Sequence, residues 1–349
     1  MPNRKERRVA FETLASQMII IKDGPYGTAI QNYGLSEEDW CNGQSFDLEQ
    51  KGNNDLLNLT RPDLITAICQ EYLDSGAMLI ATNSFNANAI SQADYGLEDL
   101  VHDINKAAAQ IMVEAARKQE ERGRPCFVAG SLGPTNKTLS LSPDVNRPGY
   151  REVDFDKMKS VYRAQIDALL AGGVDFILIE TVFDSLNAKA AIMAAKEAEA
   201  DQDDAVPLML SMTMTDRGGR NLSGQTVEAF WYTVRHARPV SMGLNCSFGA
   251  SELRQPVADL SPKVDCLLSV YPNAGLPNAL GGYDEKPEET ASLLRDWAKN
   301  GLINIVGGCC GTTPAHIAAI SKALNGIPPR PVSNLPPALR LAGMETVVL

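Results

Sequence analysis

"LINIVGGCCGTTPAHIAAISKALNG", residues 302–326, contains one complete strand–turn–helix unit. An apolar run ends in glycines and two adjacent cysteines, Cys309 and Cys310. Thr313 and Pro314 then open a helical pattern that closes at Gly326, with proline inside the start and glycine past the end. The same unit recurs upstream. Apolar runs stand at "MIIIKDG" (18–24), "AMLIATNSF" (77–85), "CFVAGSLGP" (126–134), "DFILIET" (175–181), "LMLSMT" (208–213), "SMGLNCS" (241–247) and "CLLSVYPNAG" (266–275). Their near-continuous hydrophobicity suits strands buried on both faces. Helical patterns such as "RPDLITAICQEYLDSG" and "DKMKSVYRAQIDALLAGG" lie between them. Eight strands alternating with helices predict an α/β fold, a (β/α)₈ TIM-type barrel over residues 18–326. A doubly wound open sheet is the alternative, though it seldom needs eight strands so evenly spaced.

The flanks read differently. Residues 1–17 predict an N-terminal helix or arm. Residues 327–349 carry five prolines near their start and predict an extended tail or linker leading away from the barrel.

With 44% hydrophobic residues, the 349-residue chain can bury a full core. No stretch reaches membrane-span length, and the basic N-terminus lacks the apolar segment of a signal peptide. A cytoplasmic protein that does not bind membranes is expected. The net charge of −11, without a basic stripe, argues against nucleic-acid binding. Seven cysteines are too few for a disulfide scaffold in a chain of this size, which directs attention to metal binding or catalysis.

Barrel enzymes place their chemistry at the C-terminal ends of the strands. Two of those ends carry cysteine: Cys246 in "GLNCSFG", and the pair Cys309–Cys310. Three thiolates with one open position make a reactive zinc site. The pair alone is equally consistent with core packing or a vicinal disulfide, and Cys246 shifts the balance toward metal. Neighbouring side chains on a strand diverge, so Gly307, Gly308 and Gly311 are expected to release the backbone there. His316 falls in the first turn of the following helix and reads as structural. Asp23 and Glu180 end strands one and four, where an unpaired carboxylate is costly, and a ligand's cationic group would satisfy both. Gly27, Thr28 and the "GSLGPTN" loop (130–136) offer backbone amides to a carboxylate. Asn273 ends strand seven, between the two cysteine-bearing strands.

"GLNC" and "GGCCGTTPAHI", with "KGNNDLL" (51–57), "GPTNKTLSLSPDVNRP" (133–148), "IETVFDSLNAKAA" (179–191), "GRNLSGQT" (219–226) and "YPNAGLPNA" (271–279), resemble the zinc-dependent homocysteine S-methyltransferases. The homocysteine-binding barrel of cobalamin-dependent methionine synthase is the nearer likeness, from about residue 18 onward. The resemblance implies that Cys246, Cys309 and Cys310 bind Zn²⁺ and that Asn273 fills the fourth position without substrate. It implies no catalytic residue beyond the zinc site. It also implies that Asp23 and Glu180 hold the homocysteine ammonium, and that backbone amides around Tyr26, Gly27, Thr28 and Ser131 meet its carboxylate. Two departures stand out: "DGPYGT" for the family's "DG(G/A)MGT", and "ATNSF" for "ETNTF".

The implied reaction is methyl transfer from methylcobalamin to the homocysteine thiol, giving methionine. The chain has no "DxHxxG" cobalamin motif and no room for a pterin-binding barrel. Cobalamin- and methyltetrahydrofolate-binding domains, or a partner subunit, are therefore expected to carry the donor. The chain reads as a separately encoded subunit or as a fragment ending at a domain boundary, with the separate subunit preferred. Rival readings are a self-sufficient methyltransferase using betaine or S-methylmethionine, a non-catalytic zinc- or homocysteine-binding module, and a metal-free structural role.

Overall fold

The computed structural model describes residues 3–202, 204–279 and 281–349. All eight expected strands form: β1 (Ile20–Ile21), β2 (Leu79–Ala81), β3 (Phe127–Leu132), β4 (Phe176–Val182), β5 (Leu208–Met212), β6 (Ser241–Gly249), β7 (Leu267–Asn273) and β8 (Ile305–Val306). They pair in parallel in the order β1-β8-β7-β6-β5-β4-β3-β2. A parallel bridge between Lys22 and Leu79 joins the two ends, with the Asp23 amide donating to the Leu79 carbonyl at 2.9 Å. This closure makes the sheet a barrel and excludes the open-sheet alternative.

The longer helices between and after the strands are Pro62–Asp74, Val101–Glu121, Phe155–Gly172, Ser185–Gln202, Val227–Val234, Ala250–Leu260, Pro287–Lys299 and Pro314–Leu324, with shorter helical turns besides. Their punctuation follows local chemistry. Asp154 caps the helix Phe155–Gly172 by accepting the Lys157 amide at 2.7 Å, and Gly173 ends it at φ 96°. Two apolar layers result. One lies between strands and helices. The other fills the lower barrel with inward side chains from neighbouring strands, among them Ile20, Phe127, Phe176, Met209 and Ile305.

The N-terminal helix α1 (Arg4–Ala15) seals that lower end. Phe11, fully buried, meets the rings of Phe127 and Phe176 at 5.1 and 5.0 Å. Arg7 fastens the helix to Asp175 at 2.7 Å and to the Cys126 carbonyl at 2.6 Å. With this end plugged, chemistry is left to the opposite mouth.

The proline-rich stretch differs from the path away from the barrel that its composition suggested. It is extended, but it folds back on the barrel. Arg330 is buried, donating to the carbonyls of Ser261, Val264 and Cys266 and to Asn304 Oδ1. Beyond it, β9 (Arg340–Ala342) and β10 (Thr346–Val348) form an antiparallel hairpin. The Thr226 amide donates to the Met344 carbonyl of that hairpin at 3.1 Å. Among the described residues no helix is long and apolar enough to cross a membrane.

Candidate metal centre

Cys246, Cys309 and Cys310 converge at the C-terminal mouth. Their sulfurs lie within 4.8 Å of one another, with Cys246 and Cys310 3.9 Å apart. Two local distortions bring them together. In β6 the register against β7 shifts between Asn245 and Gly249, and both Cys246 and Ser247 adopt φ 63°. Such left-handed backbone costs on the order of 1–3 kcal/mol per non-glycine residue and clusters at functional sites. Here it turns Cys246 into the mouth.

The second distortion follows β8. That strand stops at Val306, so the cysteine pair lies in a turn and escapes strand alternation. The Cys309 amide donates to the Pro272 carbonyl at 2.8 Å, and the Ala274 amide to the Cys310 carbonyl at 2.9 Å. Gly311 has φ 79°. Gly307 and Gly308 serve close packing, since an added Cβ would stand 2.8 Å from the Asp23 carbonyl oxygen or 2.1 Å from Thr312 Cγ2.

Such crowding lets one sulfur carry the negative charge. Contacts from Cys246 and then Cys309 bring Cys310 down to about 3, whereas contacts with Cys246 and Cys310, with burial, hold Cys309 well above the ordinary thiol value. Cys246, drawn down by Cys309 but driven up by Cys310 and burial, rises to about 11. A divalent cation stabilises all three as thiolates. Asn273 Oδ1, at the adjacent end of β7, is buried without a hydrogen-bond partner, as an oxygen awaiting a cation would be. This donor set fits zinc. His316 is engaged elsewhere: Nδ1 accepts the Thr313 amide at 3.2 Å, and Nε2 donates to the Glu285 carbonyl at 2.9 Å. Among the described residues no other cluster of potential ligands forms.

The cysteines line one side of a cavity of about 570 Å³ that also takes in Lys22, Tyr26, Gly27, Thr28, Ser131, Glu180 and Tyr271. Glu180 reaches it through a bulge, where the β4–β5 register shifts and Thr181 takes φ 56°. Ser131 Oγ donates to Glu180 Oε1 at 2.5 Å. The Ser131 amide, expected to meet a carboxylate, donates instead to Thr82 Oγ1 at 2.8 Å. Asp23 is fully buried and engaged on both oxygens, accepting from Lys22 Nζ and from the Ala81 amide, each at 2.8 Å. Tyr26, Gly27 and Thr28 open a short helix (Tyr26–Gln31), and Thr28 Oγ1 accepts the Gly311 amide at 3.2 Å. The altered first loop is a packed feature. Tyr72 donates to the Pro25 carbonyl at 3.1 Å, and the buried Tyr26 ring meets Tyr72 edge-on.

Sequence reasoning missed three residues here. Asn245 joins three strands: its Oδ1 accepts from Ser211 Oγ (2.6 Å) and the Thr181 amide (3.1 Å), and its Nδ2 donates to Thr181 Oγ1 (2.7 Å). Its one signal was a polar side chain inside the apolar run "SMGLNCS". Tyr283 packs so tightly on Gly311 that a Cβ there would lie 2.3 Å from its own. Lys22 ends β1 facing inward, where a lysine after "MIII" reads as a solvent-exposed end.

A closed (β/α)₈ barrel with three convergent cysteines at its C-terminal mouth is the architecture of a barrel enzyme whose thiols could hold a metal ion beside a cavity. Comparison with known proteins gives the family: the homocysteine S-methyltransferase model matches residues 20–324, and the chain belongs to that family of methyltransferases. Among solved structures it is similar to the homocysteine methyltransferase MmuM from Escherichia coli. The metallated form of MmuM has TM-score 0.70 at 22% identity, over 89% of this chain and 98% of that one. The oxidized form gives TM-score 0.66 at 23% identity (88% and 97% covered), and the apo form 0.64 at 20% (89% and 97%).

Proposed function

We propose that this protein activates the thiol of homocysteine through zinc held by Cys246, Cys309 and Cys310, with Asn273 in the fourth position until substrate arrives, and that the methyl group comes from methylcobalamin to give methionine. The observation that carries this reading is the convergence of three sulfurs at the barrel mouth of a homocysteine S-methyltransferase. A free thiol is a weak nucleophile near neutral pH because its anion is the reactive form. Zinc, when bound, supplies the Lewis acidity that keeps a coordinated thiol deprotonated.

The chain's own residues do the rest. As thiolates the three cysteines would more than offset the charge of a bound Zn²⁺, so an added sulfur would stay electron-rich. Glu180, fixed by Ser131, faces the cavity and is suited to hold a cationic group of the acceptor. Tyr26, Gly27 and Thr28 also line the cavity, and their amides are suited to a carboxylate. Asp23 acts on the site through Lys22. Fixed at its polar end, the acceptor presents its sulfur in one direction, and such positioning is a large part of bimolecular catalysis. The methylcobalamin and its methyltetrahydrofolate-derived methyl group would come from cobalamin- and folate-binding domains or a partner subunit.

A second reading has one supporting observation. The cavity of about 570 Å³ is several times larger than a four-carbon amino thiol requires, which leaves space for a small donor such as betaine or S-methylmethionine. One assay separates the two. Native chain and Cys310→Ala are supplied with homocysteine and either free methylcobalamin or a small donor, and methionine is measured beside zinc content. Slow methionine formation from methylcobalamin, one zinc per native chain and loss of both in Cys310→Ala are expected. Equal activity of the two proteins refutes the zinc-thiolate reading, and turnover with the small donor alone favours the second.

A further inference from the structure

We propose that the cleft at the lower end of the barrel, between α1, the helix Val227–Val234 and the returning tail, binds an organic polyphosphate: a ligand with two or more phosphate groups on a ring-bearing body, as in a nucleoside diphosphate. The inference goes beyond thiol activation and does not depend on it. Val240, Leu267 and Asn304, at the starts of strands, line this cleft, whereas the cysteines lie at the strands' other ends.

The cleft encloses about 1320 Å³, against about 570 Å³ at the mouth. Five arginines and no lysine line it, with only two carboxylates, in a chain whose net charge is −11. Both carboxylates are engaged. Glu12 accepts from Arg8 Nε at 2.9 Å, and Asp265 accepts from Arg235 Nε at 3.1 Å on each oxygen. Among the described residues the other three arginines, Arg238, Arg330 and Arg340, form no ion pair. Arg330 is buried and gives its donors to carbonyls and Asn304 Oδ1, so its charge has no anion beside it. Arg340 donates to the Pro336 carbonyl at 2.8 Å and stands 5.8 Å from the centre of the Tyr232 ring, while its Nε, shielded from solvent, has no partner. Arg238 stands exposed at the rim, on backbone of φ 50° that glycine would take at no steric cost.

This surplus of cations sets the ligand's charge. A guanidinium presents planar, parallel donors that match phosphate oxygens in pairs. Arg238 precedes β6 and Arg340 opens β9, so the two reach the cleft from different elements and call for more than one anionic group. A diphosphate carries about three negative charges near neutral pH, matching the three arginines left without a carboxylate. Volume sets the ligand's size: the cleft exceeds the range of about 300–1,000 Å³ usual for small-molecule pockets, and a nucleotide enters it whole. The remaining wall is apolar, made by Val240, Leu267, Pro328, Pro329 and Val332. Such a surface favours an uncharged ring and gives nothing to an inorganic ion. Three of those five residues belong to the tail that Arg330 fastens to the barrel, so the tail's return builds the cleft.

The test is calorimetric titration of the full chain with three probes: ADP, inorganic pyrophosphate and adenosine. ADP is expected to bind once per chain with Kd below about 100 μM. Pyrophosphate should bind at least about fivefold more weakly, and adenosine at least about thirtyfold. Raising salt from about 50 to 300 mM should weaken ADP at least about fivefold, because the attraction is ionic. Arg238→Gln removes an exposed side chain, so the fold should hold, with an unchanged urea midpoint, while ADP weakens at least about fivefold. Cys310→Ala should bind ADP as the native chain does, which separates this cleft from phosphate ligation to a metal at the mouth. The comparison of probes on native protein needs no variant. No heat from ADP at millimolar concentration, pyrophosphate or adenosine binding as tightly as ADP, unchanged affinity in Arg238→Gln, or lost affinity in Cys310→Ala each overturns the inference, and none of these results touches thiol activation.

Discussion

Asn245→Ala provides a quantitative test of how the mouth is held. The Asn245 amide is the shared partner of Ser211 on β5 and of Thr181 on β4, and it is 1% exposed. Truncation strands the Thr181 amide and the Ser211 hydroxyl, and a buried polar group left unpaired costs about 1–3 kcal/mol. Ser211 can recover part of this, because the buried Tyr271 hydroxyl beside it has no settled partner and is able to accept a turned Ser211 Oγ. Thr181 Oγ1 lies near the cavity, where water can replace the lost bond. The net loss is therefore about 2–4 kcal/mol, most of it from the Thr181 amide and the void left behind. Urea unfolding followed by fluorescence of the buried Trp231 and Trp297 reads this directly. Because Thr181 follows Glu180 at left-handed φ, acceptor binding should weaken as well, while zinc content stays at one per chain. A loss below about 1 kcal/mol, or unchanged acceptor affinity, would show that the β4 bulge does not depend on Asn245.

Two further outcomes test other levels of the structure. Phe11→Ala should cost about 3–5 kcal/mol, the range for a fully buried aromatic, and expose the α1 amides to hydrogen exchange before the barrel opens; retained protection would refute the plug. Asp55, buried at the cavity edge, is pushed by burial to about 7 from an ordinary 3.8, with the Asn86 amide opposing. Its folded pKa is raised, so the folded state holds the proton more tightly; stability is highest below about 4, falls as pH rises toward 7, and is flat above. Asp55→Asn should then stabilise the chain by up to about 4 kcal/mol at pH 8 and by almost nothing at pH 4, as measured by urea midpoints. Equal effects at both values would refute the assignment.

How far the sequence revealed this molecule depended on whether a feature is local. Each barrel strand was visible because burial on both faces writes a continuous apolar run, with glycine and proline marking the helices between. The runs exceed the paired strands: "MIIIKDG" yields a two-residue β1 and "LINIVGGCC" a two-residue β8, since apolarity records burial while strand length records hydrogen bonding. The cysteines were legible because three thiols at two strand ends have few other uses. Lys22 was not. Its inward position is set by Asp23 beside it and by Tyr271, far away in the chain, and only the closed barrel brings that ring over the ammonium. The left-handed backbone of Thr181, Cys246 and Ser247 left no trace either, because these residues do not announce positive φ as glycine does. The return of residues 327–349 to the barrel depends on Arg330, most of whose partners are carbonyls, and on backbone contacts such as Thr226 with Met344, none of which composition reveals.

The mouth has two chemical halves, joined by hydrogen bonds. Sulfur comes from the ends of β6 and β8; the polar clamp comes from β1, β3 and β4. Thr28 accepts the Gly311 amide, tying the first loop to the turn that carries the cysteine pair. Asn245, next to Cys246, holds the bulge that presents Glu180. On the proposed reading, the acceptor's sulfur site and its polar clamp are held at a separation that hydrogen bonds set. The left-handed backbone at residues 181, 246 and 247 costs stability, and it lies where Cys246 and Glu180 are turned toward the shared cavity. If the proposed thiol activation holds, a thiol one methylene shorter than homocysteine gives up either its sulfur or its polar-end contact, and weaker binding of cysteine than of homocysteine in a titration is the expected outcome.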